Sequence, residues 1–225
     1  GDFNFETDFD PSYKNKSFVS TGRSPFFHYA LFANFYDENH PNEKMRYSSG
    51  ISRNTSDGEP WTLFRQGASD FMVTLGGIPR GSNPEEQKAL HHFQAGTFMH
   101  ELGHNLGLMH GGDEEVNFKP NYLSVMNYDY SWGLLKQDGF KVFDYSKGQV
   151  ESILEFQLDE RHGLIGGSDL DDYSAISWCL GTEDFIRNDI EKIREGINWD
   201  CLGLPDRYDF SFDVNRNLIA GDTLH

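Results

Sequence analysis

The stretch that decides the fold reads His100-Glu101-Leu102-Gly103-His104-Asn105-Leu106-Gly107-Leu108-Met109-His110. Histidines four positions apart differ by about 40° around a helix, so both imidazoles can face one metal ion. Glu101 lies toward the same side, within reach of a water on that ion, and is the candidate general base. Gly107 interrupts the helix so that His110 can turn back as a third ligand. The pattern therefore predicts a three-histidine zinc site; histidines of an ordinary core are the alternative.

A second motif reads Tyr122-Leu123-Ser124-Val125-Met126-Asn127-Tyr128, in which Met126 lies sixteen residues after His110. Together, H-E-x-x-H-x-x-G-x-x-H and this turn resemble the metzincin clan of zinc endopeptidases. The resemblance implies that Met126 forms an apolar floor beneath the zinc histidines. It also implies that Tyr128 ligates zinc or stabilises the oxyanion during hydrolysis. From the residues alone, a core methionine and a buried tyrosine remain alternatives.

The same resemblance implies an α+β fold. Its features are a twisted, mostly parallel sheet with helices in an upper half, an active-site cleft, and an irregular lower half ending in a helix. We expect a single catalytic domain over residues 1–225. Its N-terminal subdomain, residues 1–110, contains the zinc helix, and its C-terminal subdomain, residues 111–225, contains the Met-turn.

Local patterns in the first half predict loops, strands and one long helix. The polar residues 1–24 are typical of loop, and the aromatic and aliphatic residues 26–35 predict a strand. Residues 39–60 favour an exposed connection with a short strand over 48–52. Asn83, followed by proline and two acids, predicts a helix start. Phe98, Leu102 and Leu106 recur every four positions and predict one buried face, ended by the glycine at 107.

An apolar run over residues 70–75 predicts another strand. Metzincins bind extended peptides along an edge strand that precedes the zinc helix. The resemblance implies that Phe71, Val73 and Leu75 belong to this edge, where backbone groups would pair with substrate. An internal core strand is the alternative reading.

The region after the second motif predicts little regular structure before residue 182. There Thr182 opens a predicted helix, and Gly196 suggests where it ends. Its buried face is predicted to contain Ile186, Ile190, Ile193 and Ile197. Cys179 and Cys201 fit one disulfide or two buried thiols. Asp213, Asn215 and Asn217 alternate as in the start of a calcium loop, so Ca²⁺ is a second candidate cofactor, against a solvated acidic loop. Asp171 and Asp172 have the same two readings.

Charge and composition restrict the partners. With 19 basic and 36 acidic residues the net charge is −17, which repels nucleic acid and anionic membrane surfaces. No apolar stretch approaches the roughly 20 residues needed to span a bilayer, and no signal peptide is recognisable. We expect a secreted protein with a protein or peptide substrate; nothing in the sequence sets an oligomeric state.

These observations predict a zinc-dependent endopeptidase. Three neutral histidines leave the zinc an open position for water, and Glu101 serves first as general base and then as general acid. One alternative is a catalytically silent zinc-binding extracellular interaction module. Another is a zinc hydrolase that acts on a non-peptide bond.

Overall fold

A computed structural model of the chain describes residues 28–33, 49–53, 70–76, 78, 81–180, 185–219, 221 and 223–225. The chain divides into two compact units, Gly1–Met109 and His110–His225. The predicted loop over residues 1–24 and most of the predicted connection over 39–60 lie outside the described residues. No helix among the described residues is both long and apolar enough to cross a membrane.

The first unit contains a three-stranded sheet. Its strands are β1 (Tyr29–Ala33), β2 (Ser49–Arg53) and β3 (Asp70–Thr74). Strand β3 lies in the middle, parallel to β1 and antiparallel to β2. The three predicted strands are thus confirmed in type and place. One of the two pairings is antiparallel, so the mostly parallel sheet is not found in the described part of the chain.

The position of β3 corrects the substrate-edge prediction. Both of its hydrogen-bonding edges are occupied by β1 and β2, so Phe71 and Val73 are not on a free edge, and Leu75 lies just beyond the strand. Phe71, Met72 and Val73 are all at most 1% exposed. Three consecutive buried apolar residues are typical of a strand covered on both faces, and this continuous run was the signal for an internal strand.

Helix α1 spans Pro84–Asn105 and has 22 residues. The Asn83 side chain accepts a hydrogen bond from the Glu86 N–H at 2.9 Å, and the Glu86 carboxylate lies 3.5 Å from the Asn83 N–H, which completes a capping box. Beyond Leu106, Gly107 adopts φ 97°, a left-handed conformation that favours glycine and ends the helix. Both predicted ends are confirmed.

The predicted buried face of this helix is only partly right. Phe98 does pack edge-on against Phe71, with ring centroids 5.2 Å apart. Leu106, however, is 59% exposed, so the apolar stripe is not the face that is covered. The buried positions are instead small or polar: Gly96, Thr97, His100, Glu101, Gly103, His104 and Asn105. The helix therefore uses its protected side for imidazoles and a carboxylate, which ordinary amphipathic periodicity does not anticipate.

The second unit is built from short antiparallel pairs. Strands β4 (Leu134–Leu135) and β5 (Lys141–Val142) pair, as do β6 (Ile153–Leu154) and β11 (Thr223–Leu224) and also β7 (Leu158–Asp159) and β10 (Tyr208–Phe210). A 3₁₀ turn spans Ser168–Asp172. The longest pair is β8 (Ala175–Leu180) with β9 (Phe185–Ile190).

Strand β9 corrects the predicted helix from Phe185 onward, while its predicted start at Thr182 lies outside the described residues. Ile190, Ile193 and Ile197 are buried, but Ile186 is 56% exposed, so the four isoleucines do not share a helical face. Isoleucine, asparagine and aspartate are weak helix formers, and the six-residue partner β8 supplies a complete ladder. A disulfide joins Cys179 of β8 to Cys201. The lower half therefore does not end in a helix within the described residues.

Candidate metal centre

Helix α1 brings two imidazoles together. The Nε2 atoms of His100 and His104 lie 3.2 Å apart, and both side chains are buried. Tetrahedral zinc, with Zn–N bonds of 2.0–2.1 Å, places two nitrogen ligands about 3.3 Å apart. The spacing of the two nitrogens therefore fits a shared zinc ion.

The third histidine follows the helix end. The Leu108 N–H donates to the Gly103 carbonyl at 2.9 Å and the Gly107 N–H to the His104 carbonyl at 3.0 Å, so the chain turns tightly after α1. The ligand atoms of His100, His104 and His110 then all lie within 4.8 Å of one another. Within the described residues this is the one group of three or more His, Cys, Asp or Glu side chains found in such an arrangement.

Hydrogen bonds orient two of the three rings. His104 Nδ1 lies 2.8 Å from the Leu108 carbonyl oxygen, and His110 Nδ1 lies 3.0 Å from a carboxylate oxygen of Glu115. A neutral imidazole that donates from Nδ1 to such an acceptor presents its Nε2 lone pair to a metal. Both rings are thus set in the tautomer that zinc requires. The sequence analysis did not predict this role of Glu115. The only indication in the sequence was an acidic residue five positions after the last histidine.

Burial also favours the neutral form of His110. Burial lowers the pKa of this imidazole below 6.5, and the effect outweighs the opposing hydrogen bond and charge of Glu115. A metal ligand must give up its proton, so a lowered pKa helps the ring to bind metal at neutral pH. Three buried imidazoles form a donor set that suits zinc.

A buried lysine stabilises the loop that follows His110. The Lys119 ammonium is fully buried and donates to the Gly111 carbonyl at 2.8 Å, to Glu114 Oε1 at 2.8 Å and to the His225 carbonyl at 2.7 Å. A side chain at Gly111 would meet the Val116 carbonyl oxygen at 2.4 Å, so only glycine fits there. Sequence analysis missed Lys119 because its partners are dispersed along the chain.

The predicted Met-turn is a compact turn. The Asn127 N–H donates to the Ser124 carbonyl at 3.0 Å, and its side chain donates to the Lys119 carbonyl at 2.8 Å. Met126, between them, is fully buried. Its role as a floor beneath the histidines stays a prediction.

Tyr128 lies beside the third histidine. Its ring centroid is 4.5 Å from that of His110, and the side chain is 47% exposed. The Tyr128 N–H donates to Asn117 Oδ1 at 3.0 Å, which fixes the backbone at this point. The side chain is therefore accessible to solvent, and the catalytic role of Tyr128 stays a prediction.

Glu101 lies on α1 directly after His100 and is 3% exposed. A carboxylate held out of bulk water beside a metal ligand is suited to proton transfer. Its role as general base stays a prediction.

In the loop predicted as a calcium site, side-chain oxygens accept hydrogen bonds from the backbone of the same loop. Asp213 accepts hydrogen bonds from the Asn217 and Leu218 N–H groups, and Asn217 accepts one from the Ile219 N–H. Asp171 and Asp172 pair with Arg194 and Lys136. The described residues therefore give calcium no support, because Asp213 and Asn217 cap the loop backbone and the two acids at 171 and 172 pair with cations.

The comparisons with known proteins, like the three histidines, indicate a metallopeptidase. Residues 39–141 match the family model described as Peptidase M66, a metallopeptidase family. The match covers less than half of the 225-residue chain and includes α1, His110 and Tyr128. No curated protein and no solved structure matches the chain. The similarity to Peptidase M66 supports a peptidase with a three-histidine metal site, while the metzincin resemblance stays a prediction.

Proposed function

We propose that the protein is a zinc-dependent endopeptidase that hydrolyses peptide bonds in protein or peptide substrates. The observation that carries the proposal is the arrangement of His100, His104 and His110, whose ligand atoms lie within 4.8 Å of one another. The match of residues 39–141 to Peptidase M66 supports the same reaction class.

The three histidines would hold zinc, and Glu101 would move protons. A zinc ion held there would act as a Lewis acid, which would polarise the substrate carbonyl and lower the pKa of a water molecule toward about 7. Glu101, beside His100 on α1, takes the proton from the attacking water through its carboxylate and passes it to the leaving amine nitrogen. No covalent intermediate with the protein forms. Tyr128 donates its phenolic hydrogen bond toward the developing oxyanion.

The protein acts, in this proposal, as a single catalytic domain with subdomains over residues 1–110 and 111–225. It works outside the cell, where the Cys179–Cys201 disulfide would persist. The net charge of −17 agrees with a protein substrate rather than a nucleic acid.

The test compares the zinc-loaded protein with Glu101→Gln, using an unfolded protein as substrate and measuring zinc content in parallel. Glutamine keeps the shape of the side chain but cannot accept the proton, so we expect about one zinc per chain and a loss of activity of at least about a thousandfold. Glu85→Gln is the matched control, because Glu85 is an exposed acid in the first turn of the same helix. It should leave activity and zinc content unchanged.

Other outcomes select between the alternatives. Zinc binding by both proteins without cleavage by either supports the interaction module. Cleavage of a non-peptide bond alone supports the other zinc hydrolase. Equal cleavage by wild type and Glu101→Gln removes Glu101 from the mechanism, and wild type that binds no zinc overturns the proposal.

A further inference from the structure

One arginine in the second unit lies between two aromatic rings. The Arg216 guanidinium carbon is 3.6 Å from the ring centroid of Phe118 and 4.0 Å from that of Trp178. The two rings themselves meet edge to face, with centroids 6.4 Å apart. Contacts of this kind hold a planar cation in one orientation and leave the N–H groups at its edge available for an acceptor.

The other arginines of this unit show what is unusual about Arg216. Each of the other four described arginines pairs with a carboxylate: Arg161 with Asp159, Arg187 with Asp189, Arg194 with Asp171 and Arg207 with Asp200. Two of these also stack on rings, Arg161 on Tyr208 and Arg207 on Phe210. Among the described residues, no carboxylate lies within ion-pair distance of Arg216, and no hydrogen bond from its guanidinium is found.

One acid, Asp129, interacts electrostatically with Arg216. Its Oδ2, however, accepts a hydrogen bond from Trp178 Nε1 at 2.8 Å. Asp129 thus holds one ring of the stack in place. The edge of the guanidinium remains able to bind a further carboxylate through two parallel hydrogen bonds.

A line of aromatic contacts connects Arg216 with the candidate metal ligand His110. The His110 ring lies 4.5 Å from that of Tyr128, which lies 5.9 Å from that of Phe118, against which the guanidinium packs. Each of these distances equals the length of one or two residues of extended peptide, at about 3.3 Å per residue. A substrate residue bound at Arg216 is therefore only a few positions from the bond at the metal centre.

The backbone is in a disfavoured conformation at two of the three residues of the stack. Phe118 has φ 58° and Arg216 has φ 53°, in the left-handed region that bulky residues rarely adopt. Asn117 Oδ1 stabilises this arrangement by accepting the N–H groups of both Phe118 and Tyr128, at 2.7 and 3.0 Å. Such conformations concentrate at binding and catalytic sites, where surrounding contacts maintain them.

We propose that Arg216 binds the side-chain carboxylate of an aspartate or glutamate in the substrate, within a few residues of the scissile bond. The proposal rests on the proposed peptidase function and adds the substrate class. The net charge of −17 repels acidic peptides at long range, so the preference depends on this one local contact. Arginine suits the task because its fork matches a carboxylate and its two ring contacts fix its orientation.

The test uses peptide pairs that carry glutamate or glutamine at each position around the cleaved bond. For wild type we expect the kcat/KM of the glutamate peptide to exceed that of its partner by about tenfold at one position. Arg216→Gln should remove this difference and leave cleavage of the glutamine peptide within about twofold. Arg216→Lys should retain only part of it, because lysine lacks the fork. The matched control is Arg161→Gln, a stacked arginine already paired with Asp159, which should keep the full preference.

Two results overturn the proposal. One is an equal glutamate preference in wild type and Arg216→Gln; the other is an equal loss by Arg216→Gln on both peptides, which shows a purely structural stack. If zinc-loaded wild type cleaves no peptide, the proposed function fails. The role of Arg216 is then tested separately, by the affinity of the protein for the two peptides. Intrinsic tryptophan fluorescence then measures binding of the two peptides. Tighter binding of the glutamate peptide that Arg216→Gln abolishes supports the carboxylate site, and equal affinity rejects it.

Discussion

Helix α1 and the segment after His110 hold ligands of the same candidate metal site by different means. In α1, the rings of His100 and His104 are spaced by the helix repeat, and the helix ends are set by Asn83 and Gly107. After His110, the chain is positioned by individual side chains that bind distant backbone groups. The first arrangement is built from interactions within four residues, whereas the second depends on contacts across the whole unit.

This difference predicts where single substitutions are most damaging. An α-helix shares its stability over many equivalent hydrogen bonds, so the loss of one is tolerated. The loop from 111 to 127 relies on Lys119 and on asparagines such as Asn121, which donates to the Leu224 carbonyl at 2.8 Å. Removing one of these leaves several buried acceptors without their donor, at about 1–3 kcal/mol each.

The largest effect is expected from Lys119→Met. The methionine fills the space but leaves the carbonyls of Gly111 and His225 and the Glu114 carboxylate without the ammonium. We expect the free energy of unfolding to fall by about 3 kcal/mol, measured by urea denaturation. Lys192→Met is the control, since the Lys192–Glu195 pair is exposed and should contribute less than about 1 kcal/mol. Equal losses in both variants would mean that buried Lys119 contributes no more to stability than an exposed ion pair.

A smaller effect, confined to the metal, is expected from Glu115→Gln. His104 donates to a backbone carbonyl, which no substitution removes, but His110 depends on the Glu115 side chain. We expect zinc affinity, measured by competition with a chelator, to fall about tenfold with little change in stability. Asp113→Asn removes a charge from the same loop without touching a histidine and should leave affinity unchanged. An affinity loss as large in the control would assign the effect to net charge.

The same contrast explains how far sequence analysis could go. The limits of α1, strand β3 and the histidine pair all follow from patterns within a few residues, and the structure agrees with them. Strand β9 was predicted as a helix because its isoleucine spacing fits a helix, and only the pairing with β8 decides otherwise. A partner strand earlier in the chain cannot be inferred from the periodicity of one segment.

The errors at the site have the same origin. The middle position of β3 depends on both neighbours, although its consecutive buried residues were a readable sign. Lys119 and Arg216 look like ordinary surface cations in the sequence, where most such residues are solvated. Their contacts with His225, Phe118 and Trp178 are visible only in the folded chain.

A loss of about 1 kcal/mol is expected from Asn83→Ala, which removes the side-chain half of the capping box. Because the interaction is local to the first turn of α1, zinc affinity at the far end of the helix should not change. Thermal unfolding and the chelator competition together measure both quantities. Gln87→Ala, an exposed position in the following turn, is the control and should be neutral within about 0.5 kcal/mol. A drop in zinc affinity for Asn83→Ala would contradict the view that the helix transmits little from one end to the other.

The effect restricted to the narrowest range of conditions should appear in the second unit, at alkaline pH only. Burial, together with the Asp144 charge and Tyr122, raises the pKa of Tyr145 from 10 to about 12. Between these values the unfolded chain releases the phenolic proton while the folded chain keeps it, so stability falls as pH rises through this window. Tyr145→Phe should weaken that fall, and absorbance of tyrosinate should show one fewer phenol titrating near the upper limit. The difference in unfolding free energy between wild type and variant should stay constant below pH 10. If it also stays constant up to pH 12, the fold does not raise the pKa of Tyr145. The side chain would then be more accessible to solvent than its contacts in the irregular unit indicate.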